Sequence, residues 1–192
     1  MEDWPSLEAL QAPDIVFLGI HPWHVPDDFD GSALDSALAC HPAAGVGEIG
    51  LDRLNDRTIS TAQRIAFFRQ LEIAAGHGRP VVVHGAKCWG EVVKACRPFV
   101  GKIPAFLFHG FSRSAGLLPE IFAMNGFVSV NASILNDHAV NYREMARGLP
   151  QDRVLVESDG KDGVSLADIA AALGISAEIL DANAARFTEA LA

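Results

Sequence analysis

The sequence predicts an α/β fold: a TIM-barrel-like parallel β/α sheet, incomplete at about six β/α units. Three observations carry this expectation. Short apolar runs without alternation recur along the chain, as in strands buried on both faces. They alternate with segments of helical spacing, which calls for crossover connections and a parallel sheet. Five of the runs end on a residue able to bind a metal or move a proton. They are Val16–Ile20 then His21, Gly45–Gly47 then Glu48, Val81–Val83 then His84, Phe106–Phe108 then His109, and Val154–Ser158 then Asp159. Functional residues at the C-terminal ends of parallel strands are the arrangement of a barrel active site.

The elements follow in order. Residues 14–20 predict a strand, a loop rich in Pro and Asp leads to a short helix near 32–40, and residues 44–51 predict the next strand. Ser60 opens the clearest helix, with Gln63 three residues on as in a capping box. Ile65, Phe68, Leu71 and Ala75 recur there at helical spacing, and Gly76 and Gly78 end it. Pro80 precedes the strand Val81–Val83, and Pro98 stops a helix over 89–97. A strand over 104–109 precedes a helix near 114–124, in which Pro119 belongs to the first turn or a kink. A strand over 127–131, a helix near 137–147 and a strand over 153–158 come next. Two helices close the chain, with Ser165 and Ser176 as N-caps.

A closed eight-stranded barrel takes roughly 250 residues and at least about 200, against 192 here. Either an incomplete barrel or an open sheet is expected. Unpaired sheet edges are an aggregation liability, so residues 1–13 or a second subunit are expected to cover them.

Bulk properties suit one domain over residues 1–192. The apolar fraction of 49% and charged fraction of 20% are those of a globular protein. No apolar stretch matches a membrane span. The opening Met1–Pro5 carries no basic n-region or apolar h-region, so a secretory signal is not expected. Cys40, Cys88 and Cys96 are widely spaced with no C-x-x-C, which excludes a zinc ribbon and a thioredoxin motif. Reduced thiols and a cytoplasmic location are the expectation. The net charge of −9 argues against a broad basic nucleic-acid surface. It leaves room for local phosphate contacts and for acidic ligands around a cation.

His84 and His109 end strands too apolar to lie on the surface, and neutral imidazole is the commonest transition-metal ligand. His24, His41, His77 and His138 lack that setting and are expected in solvent. Glu48 has glycines on both sides, which suggests close approach by a ligand or by another backbone. A carboxylate there ligates one cation or bridges two, unless it is a solvated strand-end glutamate. Asp159 is suited to ligate a metal or take a proton from metal-bound water. The following Gly160 leaves a turn aspartate as the alternative. Glu157 shares a face with Asp159 if the strand stays regular, and Asp159, at the strand end, is preferred. Glu48, His84 and His109 with one open position suit a catalytic divalent cation. Such a cation lowers the pKa of its water and polarises a phosphoryl or carbonyl oxygen. Glu48 and Asp159 are therefore the catalytic candidates.

Around this set, His21 is placed to donate to an anionic substrate. Trp23 is placed to stack on a base or to pack on the rim. Lys87 contacts a phosphate or stays solvated. Arg113, ahead of a helix N-terminus, suits an anion, and Ser112 or Ser114 suits an N-cap.

Taken together, the chain resembles the TatD family of metal-dependent hydrolases. The resemblance rests on Gly19–Trp23, Gly47–Asp52, Pro80–His84, His109–Ser112 and Leu155–Asp159, with a weaker match at Asn183–Phe187. The Gly-Glu-Ile-Gly-Leu-Asp segment is the most specific of these. Trp23 after Pro22, and Lys87 with Trp89 after His84, are similar to the shorter members. The resemblance implies a TIM-barrel-like fold and phosphodiester hydrolysis, typically of DNase type. It implies zinc, magnesium or manganese, as one or two ions, on Glu48, His84, His109 and Asp159. Glu48 would bridge them, and Asp159 would orient the nucleophilic water. DNA or a small phosphodiester is the implied partner, with no membrane.

The family pattern opens with an Asp-x-His-x-His strand, and no His-x-His occurs here. The strands therefore align with the family's third to eighth. One metal site keeps Glu48, His84 and His109, and the other keeps Glu48 and Asp159. Ser158 stands where threonine is usual. The primary expectation is a metal-dependent hydrolase. Its alternative is a barrel-like module that binds a ligand or partner without turnover, and its rival among enzymes is an amidohydrolase acting on a C–N bond.

Overall fold

Six parallel strands form one sheet in chain order in a computed structural model that describes residues 15–54, 57–112 and 114–191. They are β1 (Phe17–Leu18), β2 (Gly45–Asp52), β3 (Val81–Ala86), β4 (Phe106–His109), β5 (Gly126–Val130) and β6 (Val154–Val156). Helices α1 (Ser32–Cys40), α2 (Thr61–His77), α3 (Trp89–Cys96), α4 (Leu118–Ala123) and α5 (Val140–Arg147) connect successive strands. After β6 come α6 (Leu166–Leu173) and α7 (Ala177–Thr188). This is the winding of a TIM-like barrel. Among the described residues β1 and β6 do not pair, so the sheet is open. No described helix is long and apolar enough to cross a membrane.

Strand alternation gives the sheet two different faces. Val81, Val83, Phe106, Phe108, Val128, Val130 and Val154 pack in the main core against the helices. The intervening Val82, Leu107, Phe127 and Leu155 form a second apolar cluster with Phe17, Ala105 and Phe187. Two residues further along the same strands come His84, His109, Ser129 and Glu157. The inner face is thus apolar toward the strand N-termini and polar toward the C-termini. Register sharpens the change, because His84 lies directly opposite His109.

The C-terminal helix completes the inner face. Phe187 stacks on Phe17 of β1 with ring centroids 5.6 Å apart and meets Phe127 of β5 edge-on at 5.9 Å. One side chain therefore links the first strand to the fifth. Asn183 Nδ2 donates to the carbonyls of Gln151 and Val154, both at 2.7 Å, and ties α7 to the start of β6.

Several expected elements shift. β1 is shorter than residues 14–20. The expected helix 114–124 is a 3-10 turn over Ala115–Leu117 followed by α4, with Pro119 in the first turn of α4. Ser60 caps α2 as expected, its Oγ accepting from Gln63 N at 3.0 Å. The Gln63 side chain does not close a capping box. It is buried and accepts from Asp52 N at 3.1 Å, holding the end of β2. Ile65 and Phe68 point outward, at 57% and 44% exposure. The buried face of α2 runs through Ala66, Phe67, Gln70, Leu71, Ile73 and Ala74. Two adjacent phenylalanines leave the apolar period ambiguous. The inward glutamines hide it further, because both serve backbone groups: Gln70 bonds both the N–H and the carbonyl of Ile20, at 2.7 and 3.1 Å.

Removing the Phe187 ring should leave a cavity between the inner ends of β1 and β5. Phe187→Ala is expected to lower the unfolding free energy by about 3–5 kcal/mol. A urea titration reads this as a fall in midpoint, and an unchanged midpoint would refute the bridging role.

Candidate functional site

Glu48 owes its position to an irregularity in β2. Val46 lies opposite Val81 and Ile49 opposite Val83, so Gly47 and Glu48 together face Val82. An extra residue of this kind bends a strand and re-aims a side chain. The glycines beside Glu48 answer the neighbouring strand rather than a ligand. A Cβ at Gly47 would lie 2.7 Å from Val82 Cβ, and one at Gly50 would lie 2.0 Å from the His84 carbonyl oxygen.

The carboxylate stands between the two strand-end imidazoles. Glu48 Oε2 is 3.8 Å from His84 Nδ1, and Oε1 is 3.5 Å from His109 Nε2. Each ring is held on its opposite nitrogen by another carboxylate. Asp52 Oδ2 lies 2.9 Å from His84 Nε2, and Glu157 Oε2 lies 2.7 Å from His109 Nδ1. Asp52 is fully buried, and its Oδ1 accepts from Leu54 N at 2.5 Å. An ionised carboxylate only accepts, so the outer nitrogen of each ring carries a proton. The inner nitrogens are directed at Glu48. A carboxylate on the far nitrogen is how metal-binding histidines are commonly oriented.

Asp159 and Glu157 both reach His109, on opposite ring nitrogens. Asp159 Oδ1 is 3.2 Å from Nε2, on the Glu48 side. It takes a left-handed backbone, φ 55°, and its Oδ2 is 3.2 Å from Lys161 Nζ. Ser129 donates to Glu157 Oε2, and the Gly110 N–H approaches the same region at 3.0 Å from Ser129 Oγ. Glu157 Oε1 is buried with no hydrogen-bond partner among the described residues.

The electrostatics follow from this packing. Burial pulls the His109 pKa down, but the Glu157 hydrogen bond and charge, helped by Glu48 and Asp159, outweigh it and lift the pKa to about 9. Burial pushes Glu48 up, yet the nearby imidazoles hold its carboxyl below the usual value. Burial, seconded by His84, lowers His21 to about 4, so His21 is neutral at pH 7. Its Nδ1 accepts from Trp23 N at 3.3 Å, which puts the ring proton on Nε2.

His21 sits closer to the ligand-type cluster than expected. Its ring centroid is 4.4 Å from that of His84. His21, Glu48 and His84 offer ligand atoms that all lie within 4.8 Å of one another. His109 stands on the other side of Glu48. A cleft of about 1280 Å³ opens over these residues and is also lined by Trp23, Lys87, Ser112 and Asn131. Trp23 is 55% exposed at its rim. Lys87 follows β3 in a left-handed conformation, φ 56°. Arg113 lies outside the described residues. Spacing alone did not single out Asp52 or Ser129. The signal for Asp52 was its place four residues after Glu48 at the end of the same strand.

A parallel β/α sheet with paired carboxylates and imidazoles at its strand ends is a barrel-type scaffold with donors suited to a metal. The family profile described as TatD related DNase matches residues 6–162. The chain belongs to the TatD family. It is 31% identical over 144 residues to the 3'-5' ssDNA/RNA exonuclease TatD of Musicola paradisiaca, covering 73% of this chain and 54% of that protein. It is 26% identical over 159 residues to the uncharacterized metal-dependent hydrolase YabD of Bacillus subtilis, covering 80% of this chain and 62% of that one. It thus spans between about half and two thirds of these relatives' length. The crystal structure of YJJV, a TatD homologue from Escherichia coli, matches with a TM-score of 0.76 at 24% identity, over 89% of this chain and 75% of the other. A TatD family hydrolase from Entamoeba histolytica matches with a TM-score of 0.69 at 13% identity, over 92% and 72%. These two structures show the shared fold.

The raised pKa of His109 depends on Glu157. In the metal-free protein, NMR titration of wild type should place the His109 imidazole near pH 9. In Glu157→Gln the value should fall below that of wild type, because burial remains and its main opponent is gone. An unmoved titration would remove Glu157 from this role.

Proposed function

We propose that the protein is a metal-dependent phosphodiesterase of DNase type, acting on single-stranded nucleic acid. Glu48, His84, His109 and Asp159 would hold the cation. The observation that carries this reading is the orientation of the two imidazoles. Buried carboxylates fix their outer nitrogens, and both inner nitrogens flank Glu48. The donor set of imidazole nitrogen and carboxylate oxygen suits zinc or manganese, and its carboxylate component suits magnesium. The unpartnered buried oxygen of Glu157 adds to a local excess of negative charge. Family membership supports the reaction class, and the names of the relatives support nucleic acid as substrate.

When bound, a divalent cation would lower the pKa of water and polarise a phosphoryl oxygen. The chain's own residues would do the rest. Asp159, on the open side of His109, would accept the proton of the attacking water. His21, neutral and with its proton on Nε2, would donate to a phosphate oxygen. Lys87 would add a positive charge at the cleft wall. Trp23, half exposed beside His21, would give a base a ring to stack on. Asp52 and Glu157 would act through the histidines as positioning residues.

Hydrolysis of a single-stranded oligonucleotide is expected with added manganese, magnesium or zinc and is expected to stop with a chelator. Glu48→Gln should abolish it. Asp52→Asn should weaken cation binding about 10–100-fold, measured by calorimetry, because an amide at that place cannot accept from both Leu54 N and His84 Nε2. Substoichiometric metal in the purified protein, together with no cleavage in the presence of added cation, would sink the reading.

A further inference from the structure

We propose that Arg53 and Lys87, with Arg64 behind them, form a second anion seat on the rim of the cleft. The seat takes a phosphate of the strand distant from the reacting one, and Glu91 fills it when no strand is bound. The inference deepens the nucleic-acid reading above and rests on it for the identity of the ligand.

Glu91 is held between two arginines. Arg53 Nη2 donates to its Oε1, and Arg64 Nη1 is 2.6 Å from its Oε2. Each carboxylate oxygen has its own guanidinium, the arrangement in which arginines also receive phosphate. Arg53, Lys87 and Glu91 line the same cleft as Glu48 and His84. Among the described residues Lys87 makes no ion pair. Two arginines thus meet one carboxylate, with Lys87 on the same cleft, in a chain whose net charge is −9.

The pairs are also easy to exchange. The side chains of Arg53 and Arg64 are 42% and 50% exposed, and exposed ion pairs contribute little to stability. An incoming phosphate therefore displaces Glu91 at small cost and gains charge-assisted hydrogen bonds from the same donors. The surroundings match the rest of a single strand. Leu54, next to Arg53, is 54% exposed, and Trp23 is 55% exposed across the cleft. Exposed apolar surface for bases and cations for phosphates thus line the same cleft. Arg53 directly follows Asp52, which holds His84, so the seat lies on the His84 side of Glu48, away from Asp159.

Binding of fluorescein-labelled hexathymidylate, compared with competition by thymidine monophosphate, tests this. A chelator is present throughout so that nothing is cut. Wild type should prefer the hexamer by at least about tenfold, since each phosphate contact adds counterion release. Arg53→Gln and Lys87→Gln should each lower hexamer affinity about tenfold, and the salt slope should become shallower by about 0.7 per lost contact. Glu91→Gln should bind the hexamer several-fold tighter, because the occupant of the seat has lost its charge. A purely structural role for the Arg53–Glu91–Arg64 cluster predicts equal or weaker binding instead. Unfolding midpoints establish that the variants are folded. Equal or weaker binding by Glu91→Gln, or undiminished binding by Arg53→Gln, would overturn the seat. Strand binding with these dependences but no cleavage on adding cation would leave the seat standing and overturn the hydrolase reading. Cleavage without any preference for the hexamer would do the reverse.

Discussion

Glu48 stands between two imidazoles at the end of an apolar sheet, and most of the polar architecture nearby exists to make that tolerable. Buried polar groups are costly unless hydrogen-bonded. His84 spends its outer nitrogen on Asp52, which takes a backbone N–H from Leu54 and offers its own to Gln63. His109 spends its outer nitrogen on Glu157, which is held by Ser129. The two chains of contacts leave the inner nitrogens pointing at the same carboxylate. Remove either chain, and the ring beside it loses the reason for its orientation.

Those contacts depend on where the sheet changes character. The inner face begins with Val82, Leu107, Phe127 and Leu155 and ends with His84, His109, Ser129 and Glu157. Alternation places both sets on one side, and parallel register brings the polar ends to one rim. Phe187 fills the apolar end from a helix distant in sequence. Stability and chemistry therefore occupy opposite ends of the same surface. The main core against the helices sits behind both and reaches the cleft through Cys88 and Trp89.

The strand ends were legible in sequence because the residue type changes there abruptly, from a run of valine or phenylalanine to a histidine or carboxylate. The parallel order was legible because each such run is followed by helical spacing. The face of α2 was not, because Gln63 and Gln70 are buried for their hydrogen bonds while Ile65 and Phe68 lie outside. Apolar periodicity reports only hydrophobic burial, so a helix that docks through amides defeats it. The glycines around Glu48 suggested either a ligand or a backbone nearby, and β3 is the neighbour. Asp52 carried only its place at the end of the Glu48 strand as a signal, since its partner is 32 positions away and the contact depends on register. Arg53 and Glu91 are likewise brought together only by the fold, across 38 positions.

Charge gives the cleft its direction. Glu48, Asp52, Glu157 and Asp159 place four carboxylates around two imidazoles. With His109 protonated, the centre still holds more negative than positive charge. An anionic strand brought to that centre alone would be repelled. The rim has the opposite balance, with Arg53 and Arg64 on a single Glu91 and Lys87 on the same cleft. As proposed above, such a rim would attract a phosphate chain that the acidic centre repels. A divalent cation held by those carboxylates would offset much of their charge, and the scissile phosphate would then be repelled less. On the proposed function, the cation would supply the attraction at one end of the strand and the arginines would supply it at the other. On that reading, the site would then hold substrate productively only when both are in place.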